Sequence, residues 1–362
     1  MSQRAIRWTA IGLFVMGLAT LWIMRGIHDD KEALKYLGCA QDALRGDLRD
    51  LAGNYKGYAA YVLFLVPFVA IGAPFLAVIV QAILAMAAAF ALARLVERIS
   101  GSEQAGTIAM VVILLCYPFQ EWVLALYTES FFASIAVLLL ERATRPGRMD
   151  ALSFLLAGIL LFARPNGLLF VLPLLVWRCT SPAWGGSWFR PAAYAAVLLL
   201  ALFMPGIAPH QLGVIVEGHV ICGFPERPGA LNGFHGTTLF DAQAFLFREP
   251  GYALGLFVRR VASLFTLNRP YYSPGHNAVL APLYLLFPLA LYGWWRSRSG
   301  SVAYLLAAIL MLNAVLIGFT YDEWNGRFLV PIWPMIAAFA ACGAFDLFER
   351  SQVLGKGIGL PP

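Results

Sequence analysis

Charged side chains are scarce in this sequence. Asp, Glu, Lys and Arg make up only 13% of the 362 residues, whereas 60% are hydrophobic. A soluble domain cannot bury that much apolar surface, so lipid must cover much of it. The net charge of +6 lies in short links between apolar segments rather than on one basic surface, which argues against a nucleic-acid partner. The composition therefore predicts a protein embedded in a lipid bilayer.

Several motifs of soluble enzymes are missing as well. Neither a Walker motif nor a GxGxxG fingerprint occurs, which excludes a nucleotide-sugar donor held by a Rossmann domain. The five cysteines form no CxxC pair, and the five histidines form no HExxH or HxxxH pair. Neither a zinc site nor a disulfide framework is indicated. We therefore expect no cofactor, with a divalent metal as the minor alternative.

Apolar segments long enough to form membrane helices recur along the chain. In hydrocarbon each segment must satisfy its own backbone hydrogen bonds, so the segments are predicted to be helices. We expect an all-α, polytopic transmembrane bundle of about 10–12 helices. The segments are 8–27, 57–93 with a break at Gly72-Ala73-Pro74, 105–123, 126–140, 151–163, 166–177, 190–207, 278–295, 301–320 and 328–348.

The polar links between these segments divide into two kinds. Basic links at 141–150, 178–190 and 296–298 are typical of the cytoplasmic side, as are Arg4 and Arg7 before the first helix. Segments 29–56, 117–129 and 208–277 and the turn at 321–327 are then external. Amphipathic interfacial helices are expected in 29–56 and at 252–267 within 208–277. If 57–72 and 74–93 both cross, however, link 141–150 falls outside, so one of the two is predicted to be a half-helix. We expect one domain over 1–348 and a short cytoplasmic tail at 349–362.

The first external segment contains the strongest candidate for chemistry. Residues 29–56 hold six acids and five bases, with apolar residues at helical spacing over 33–44. A carboxylate at a helix end beside lipid can serve as a general base, and Asp29, Asp30 and Glu32 are the candidates. Lys56 begins the next helix, where it could hold a phosphate. A solvated, charge-balanced loop explains the same spacing equally well.

Three short motifs lie next to the predicted apolar segments. The first is an acid after the first helix, followed by Tyr36, Ala40 and Gly46. The second is Tyr127-Thr-Glu-Ser-Phe-Phe132 with Arg164-Pro-Asn-Gly167, and the third is Asn325-Gly-Arg-Phe328 followed by Pro331 and Pro334. Together these motifs resemble the GT-C glycosyltransferases, such as the protein O-mannosyltransferases and aminoarabinose transferases, and the second is similar to the GPI mannosyltransferase branch. In these families the acid lies four or five residues before the tyrosine, and here only Glu32 fits that spacing.

The resemblance implies transfer of a sugar from a polyprenyl-phosphate donor to a lipid, glycan or protein acceptor. It implies a multi-pass protein of the bacterial inner membrane with its active face in the periplasm. The departing phosphate needs cations, and arginine binds it in a bidentate manner. The candidate phosphate ligands are Lys56, Arg164, Arg259, Arg260 and Arg327. The candidate substrate contacts are Tyr36, Glu129, Asn166, His235, His276, Asp322 and Glu323.

Each of these candidates also has a structural explanation. Arg164 could extend its head group to the interface, and Glu129 could complement a helix dipole. Aromatic residues around 321–324 could anchor the interface. At the level of function, the rival is a transporter or flippase of a lipid-linked sugar or small solute, which would place its charges at the bilayer midplane. An accessory membrane subunit without activity is the second rival.

Overall fold

The structure, a computed structural model, is a bundle of α-helices, which confirms the predicted all-α class. It describes residues 2–147, 149–180, 218–221, 224–225, 247–320 and 325–357. The predicted segment 190–207 and residues His235, Asp322 and Glu323 lie outside the described residues. Within the described ranges, the one sheet is a short antiparallel pair of strands, β1 (His219–Ile221) and β2 (Phe224–Pro225).

The helices follow the predicted apolar segments closely. In chain order they are α1 (Gln3–Arg25), α2 (Glu32–Leu44), α3 (Arg49–Ala52), α4 (Ala59–Ala70), α5 (Phe75–Ser100), α6 (Glu103–Leu115), α7 (Tyr117–Val123), α8 (Thr128–Ala143), α9 (Ala151–Ala163), α10 (Leu168–Thr180), α11 (Pro250–Phe265), α12 (Pro274–Leu280), α13 (Leu286–Ser297), α14 (Ser301–Thr320) and α15 (Trp333–Gly357). Short 3₁₀ turns lie at Lys56–Tyr58, Pro165–Gly167, Ala281–Leu285 and Val330–Ile332.

Five helical segments of the described chain are long and apolar enough to cross a membrane. They are Gln3–Arg25, Phe75–Ser100, Pro274–Ser297, Ser301–Phe319 and Val330–Val353, and α6 with α7 makes a sixth if that pair, bent by 59°, is one span. Their outer surfaces are apolar, as Met16 and Ile23 of α1 illustrate with 65% and 85% exposure. A helix that is apolar on all sides needs lipid around it. Three shorter apolar helices, Lys56–Ala70, Ala151–Ala163 and Pro165–Thr180, accompany these segments.

The long helices run between two polar ends of the bundle. At one end Arg7 pairs with Glu97 at 2.5 Å, and Arg98 and Arg145 pair with Glu141 at 2.9 and 2.8 Å. We call this the Glu141 end. At the opposite end lies Arg327, after which we name it the Arg327 end; helix α8 begins there beside Glu129 and finishes at Glu141.

The segment between α1 and α5 returns to the end from which it starts. Arg7, near the start of α1, contacts Glu97 near the end of α5, whereas the rings of Trp22 and Phe75 lie 6.4 Å apart at the opposite ends of these helices. Helices α1 and α5 are therefore antiparallel, and α4 does not cross the bundle between them. The turn at Gly72, with φ +69°, reverses the chain before α5. This resolves the ambiguity over 57–72 and 74–93, because it puts link 141–150 at the end opposite to the acidic segment 29–56.

Helix α2 forms in the acidic segment as predicted, but its buried face is different. Ala33, Tyr36 and Ala40 are buried, and the helix packs mainly on α4. Leu34 and Leu44, which the spacing assigned to the same apolar face, are 62% and 45% exposed. The difference arises because the aromatic ring of Tyr36 fills the contact with Tyr58 and Tyr61, at centroid distances of 5.5 Å each.

The last helices pack through small residues. A Cβ atom on Gly293 of α13 would lie 1.8 Å from the carbonyl oxygen of Phe339, and one on Gly343 would lie 2.3 Å from that of Leu289. Small residues let membrane helices approach closely, so α13 and α15 depend on these two glycines for their contact. Helix α15 continues to Gly357, so the predicted tail is helical up to that residue. The amphipathic stretch 252–267 is α11, which packs on α14.

Candidate functional site

A buried ion network lies at the Arg327 end. It joins Glu129 in the first turn of α8, Arg164 after α9, Arg327 before α15 and Glu32 at the start of α2. The side chain of Glu129 is fully buried, and its Oε1 accepts a hydrogen bond from Nη1 of Arg164 at 2.7 Å and another from Nε of Arg327. Four segments that are distant in sequence therefore meet through charged side chains.

Glu32 forms the outer part of this network. Its Oε2 accepts hydrogen bonds from Nη2 of Arg327 and, at 3.3 Å, from the hydroxyl of Tyr36. The Glu32 side chain is 33% exposed, whereas that of Glu129 is not exposed at all. Burial raises the pKa of Glu32, but the hydrogen bond and charge of Arg327 outweigh it, so the net pKa is lowered. Glu32 is therefore a carboxylate at neutral pH, and two arginines balance two glutamates.

Aromatic rings enclose the guanidinium groups. The Arg327 guanidinium lies 5.6 Å from the ring centroid of Tyr127 and 5.8 Å from that of Phe328, and Arg164 lies 5.9 Å from Phe328. Such contacts stabilise a cation while excluding water. Burial raises the pKa of Tyr127 to about 12, so its hydroxyl stays protonated and donates to the carbonyl of Asp30 at 3.1 Å.

Backbone hydrogen bonds bring the two glutamates together. The N–H of His28 donates to the carbonyl of Leu124 at 3.1 Å, and the N–H of Leu126 donates to the carbonyl of His28 at 2.9 Å. The segment after α1 therefore lies alongside the segment before α8. Because Glu32 and Glu129 each follow this bridge by a few residues, both reach the same arginine.

The Asn325-Gly326 turn directs Arg327 into the network. Both residues have positive φ angles, +49° and +69°, which Asn and Gly adopt more readily than other residues. The backbone N–H of Asn325 donates to the hydroxyl of Tyr271 at 3.1 Å. The backbone carbonyl of Asn325 accepts from the indole N–H of Trp122 at 3.4 Å. In the Asn325-Gly326-Arg327 motif, the backbone conformation therefore explains the first two residues, and the ion network explains Arg327.

Two polar residues that sequence reasoning missed support the site. Gln81, fully buried in α5, donates to the carbonyls of Val123 and Ala125 at 3.1 and 2.9 Å and accepts from Tyr61 at 3.0 Å. Asn313 of α14 accepts from Nδ2 of Asn166 at 3.2 Å. A lone amide inside an apolar helix is a recognisable signal, because polar groups in such segments are costly and need partners.

The structure brings two of the predicted phosphate ligands together and gives the others different contacts. Arg164 and Arg327 converge on Glu129. Lys56 lies nearby, since a Cβ on Gly57 would meet Pro165 at 3.1 Å, but its side chain is exposed. The exposed Arg259 donates to the carbonyl of Gly255 in its own helix, and Arg260 donates to that of His219 at 2.7 Å.

The other predicted residues fall at the edge of the network or outside the described residues. Asp29 and Asp30 are exposed, in contrast to Glu32. His276 stacks on Tyr272 with centroids 3.9 Å apart, beside Tyr117 and next to the Asn325 turn. Within the part of the chain that the structure describes, no three His, Cys, Asp or Glu side chains are grouped so as to hold a metal ion.

Comparisons with protein families, curated proteins and solved structures find no match for this chain.

Proposed function

We propose that the protein is a polytopic membrane glycosyltransferase of GT-C type that uses a polyprenyl-phosphate-linked sugar donor. The observation that carries the proposal is the network of Glu32, Glu129, Arg164 and Arg327 at one end of an apolar bundle. It supplies a partly exposed carboxylate beside two arginines, which are the groups that sugar transfer from a lipid phosphate needs. The five or six apolar spans, the three shorter apolar helices and the predicted segment 190–207 make nine or ten apolar segments, and we propose about 10–12 membrane helices for the whole chain.

In the proposed reaction Glu32 is the general base. Its carboxylate takes the proton of the acceptor hydroxyl while the acceptor oxygen forms a bond to the anomeric carbon of the sugar. The bond from that carbon to the phosphate oxygen breaks, and its electron pair leaves with the polyprenyl phosphate. Arg327, assisted by Arg164, stabilises the charge that develops on this leaving group. Glu32 is preferred because it is the acid candidate that contacts Arg327.

The site is proposed to face the periplasm of a bacterial inner membrane. Basic residues at the Glu141 end, such as Arg98, Arg145 and Arg298, are typical of the cytoplasmic side. In a cysteine-free background, Asp42→Cys on α2 should react with a membrane-impermeant maleimide in intact spheroplasts. Ser299→Cys, between α13 and α14, should react only after permeabilisation. The reverse pattern would put the network in the cytoplasm and exclude a periplasmic donor site.

A transfer assay with a matched pair of arginine variants tests the function itself. Protein in liposomes should release polyprenyl phosphate from one of a panel of polyprenyl-phosphate hexoses and pentoses when an envelope extract supplies the acceptor. Arg327→Lys keeps the charge but loses the bidentate guanidinium, so kcat/KM should fall about 10²-fold. Arg298→Lys, which changes an arginine stacked near Trp295 at the far end, should have no effect. Absence of release with every donor would contradict the proposal.

A transporter of a lipid-linked sugar is the second candidate, and one observation favours it. The hydroxyls of Ser130 and Ser134 and Oδ1 of Asn166 are buried, with no hydrogen-bond partner among the described residues. The serines are one turn apart on α8 beyond Glu129, so polar groups continue from the network into the bundle. Movement of a labelled donor across liposomes without release of polyprenyl phosphate would support this function instead.

A further inference from the structure

Arg327 has two carboxylate partners that differ in their exposure. Glu129 is fully buried and is shared with Arg164, whereas Glu32 is 33% exposed and contacts the outer nitrogen, Nη2, of Arg327. Leaving Glu129 unpaired would place a bare charge in the bundle, which is costly. Releasing Glu32 costs less, because water can reach its carboxylate. Of these two described carboxylates, Glu32 is therefore the one that an anion approaching from the exposed side can replace.

We infer that Glu32 occupies the place of the donor phosphate, and that the phosphate of a polyprenyl ligand, either the donor's diester or the monoester that leaves, displaces it from Arg327 on binding. The inference rests on the proposed function, since it identifies what the network holds when a donor is bound. The charges support it. Among the described residues of the network two arginines and two glutamates balance, so displacement of one carboxylate leaves a positive charge for the phosphate. Glu129 remains in place and keeps Arg164 and Arg327 side by side to hold the phosphate.

The displaced carboxylate has nearby groups that can receive it. Tyr36 already donates to Glu32 at 3.3 Å, and the positive charge of Lys35 lies close enough to act on it. Arg327 contributes most to lowering the pKa of Glu32, so release from Arg327 would make Glu32 a stronger base. Donor binding would thus produce a more basic carboxylate at the moment when an acceptor proton has to be removed, which ties base activation to occupancy of the site.

If Glu32 competes with the ligand for Arg327, removing the Glu32 carboxylate should strengthen ligand binding. Farnesyl phosphate, a short polyprenyl monophosphate, should bind Glu32→Gln on the order of tenfold more tightly than it binds the unaltered protein, a coupling of ordinary size. Glu32→Asp keeps the charge but shortens the side chain, so it should also bind more tightly. Asp42→Asn removes a charge from the same helix at a carboxylate that is 42% exposed, and it should leave the affinity unchanged.

The measurement is isothermal titration in detergent at fixed salt, with thermal unfolding of each variant to verify folding. Equal or weaker binding by both Glu32 variants would overturn the inference, while a donor site in the unaltered protein would remain. Failure of every protein to bind farnesyl phosphate would overturn the inference and the proposed donor site together. Inorganic phosphate is the second ligand, and tighter binding of it by the Glu32 variants would show that the anion alone displaces the carboxylate.

Discussion

Glu129→Gln is expected to destabilise the folded protein by about 3–5 kcal/mol, because it leaves two buried guanidinium groups without their shared carboxylate. Arg164 and Arg327 are only 5% and 6% exposed, so water cannot replace the lost partner. Among the described residues the other acid of the network is Glu32, and its ion pair is with Arg327 and not with Arg164. The measurement is the free energy of unfolding from a denaturing-detergent titration in mixed micelles.

Glu141→Gln is the matched control at the opposite end of the bundle. Glu141 is also buried, and it also pairs with several arginines. Those arginines are 31–50% exposed, however, so water can solvate them once the carboxylate is gone. The loss there should be about 1 kcal/mol, in the range of exposed ion pairs. Equal losses at both positions would mean that water reaches Arg164 and Arg327 and that the network is not a closed site.

The course of the helices could be predicted from the sequence, because apolar length and the breaks between segments determine it. The half-helix α4 was harder to predict from the sequence. Hydropathy treats 57–72 and 74–93 alike, and only the contacts of α1 with α5 distinguish a segment that returns from one that crosses. These contacts join side chains that lie 90 and 53 residues apart in sequence, which no local pattern describes.

The site was predictable in its residue types but not in its pairing. Arg164 stood out as a charge next to an apolar helix, whereas Glu129 and Arg327 were indicated by the motifs that resemble the GT-C glycosyltransferases. That one carboxylate would hold both arginines could not be derived, because the separations of 35 and 198 residues carry no geometric information. Arg259 and Arg260 were predicted as phosphate ligands from their place in an external amphipathic stretch, and the structure shows Arg260 donating to the carbonyl of His219.

We propose Glu32 among the three acids because of its position on helix α2. Asp29 and Asp30 precede α2 and are exposed, whereas Glu32 occupies its first turn, one turn before Tyr36. Residues four apart on a helix share a face, so Glu32 and Tyr36 point to the same side. The family spacing of acid and tyrosine, which Glu32 alone fits, agrees with this geometry.

Glu32→Gln is expected to lower the transfer rate by about 10²–10⁴-fold, the usual effect of losing a general base. Asp29→Asn and Asp30→Asn should retain most of the activity, since neither carboxylate shares the network. The folded fraction should be preserved in all three, because partly exposed acids contribute little to stability. A dead Asp29 or Asp30 variant beside an active Glu32→Gln would return the base to the segment before α2.

The pH dependence of the same reaction provides an independent check on this base. A base must be ionised to accept a proton, and Arg327 holds the pKa of Glu32 below its ordinary value of 4.5. The kcat/KM of the unaltered protein, which reports the free enzyme, should therefore stay level as the pH falls from 7 and decline only below about 4.5. In Glu32→Asp the shorter side chain weakens the contact with Arg327, so the pKa of the new carboxyl is lowered less from the ordinary value of an aspartate. The kcat/KM of this variant should therefore begin to decline closer to that ordinary value. An acid limb near pH 6 would point to a group outside the ion network, because the pairing with Arg327 lowers the pKa of Glu32 rather than raising it.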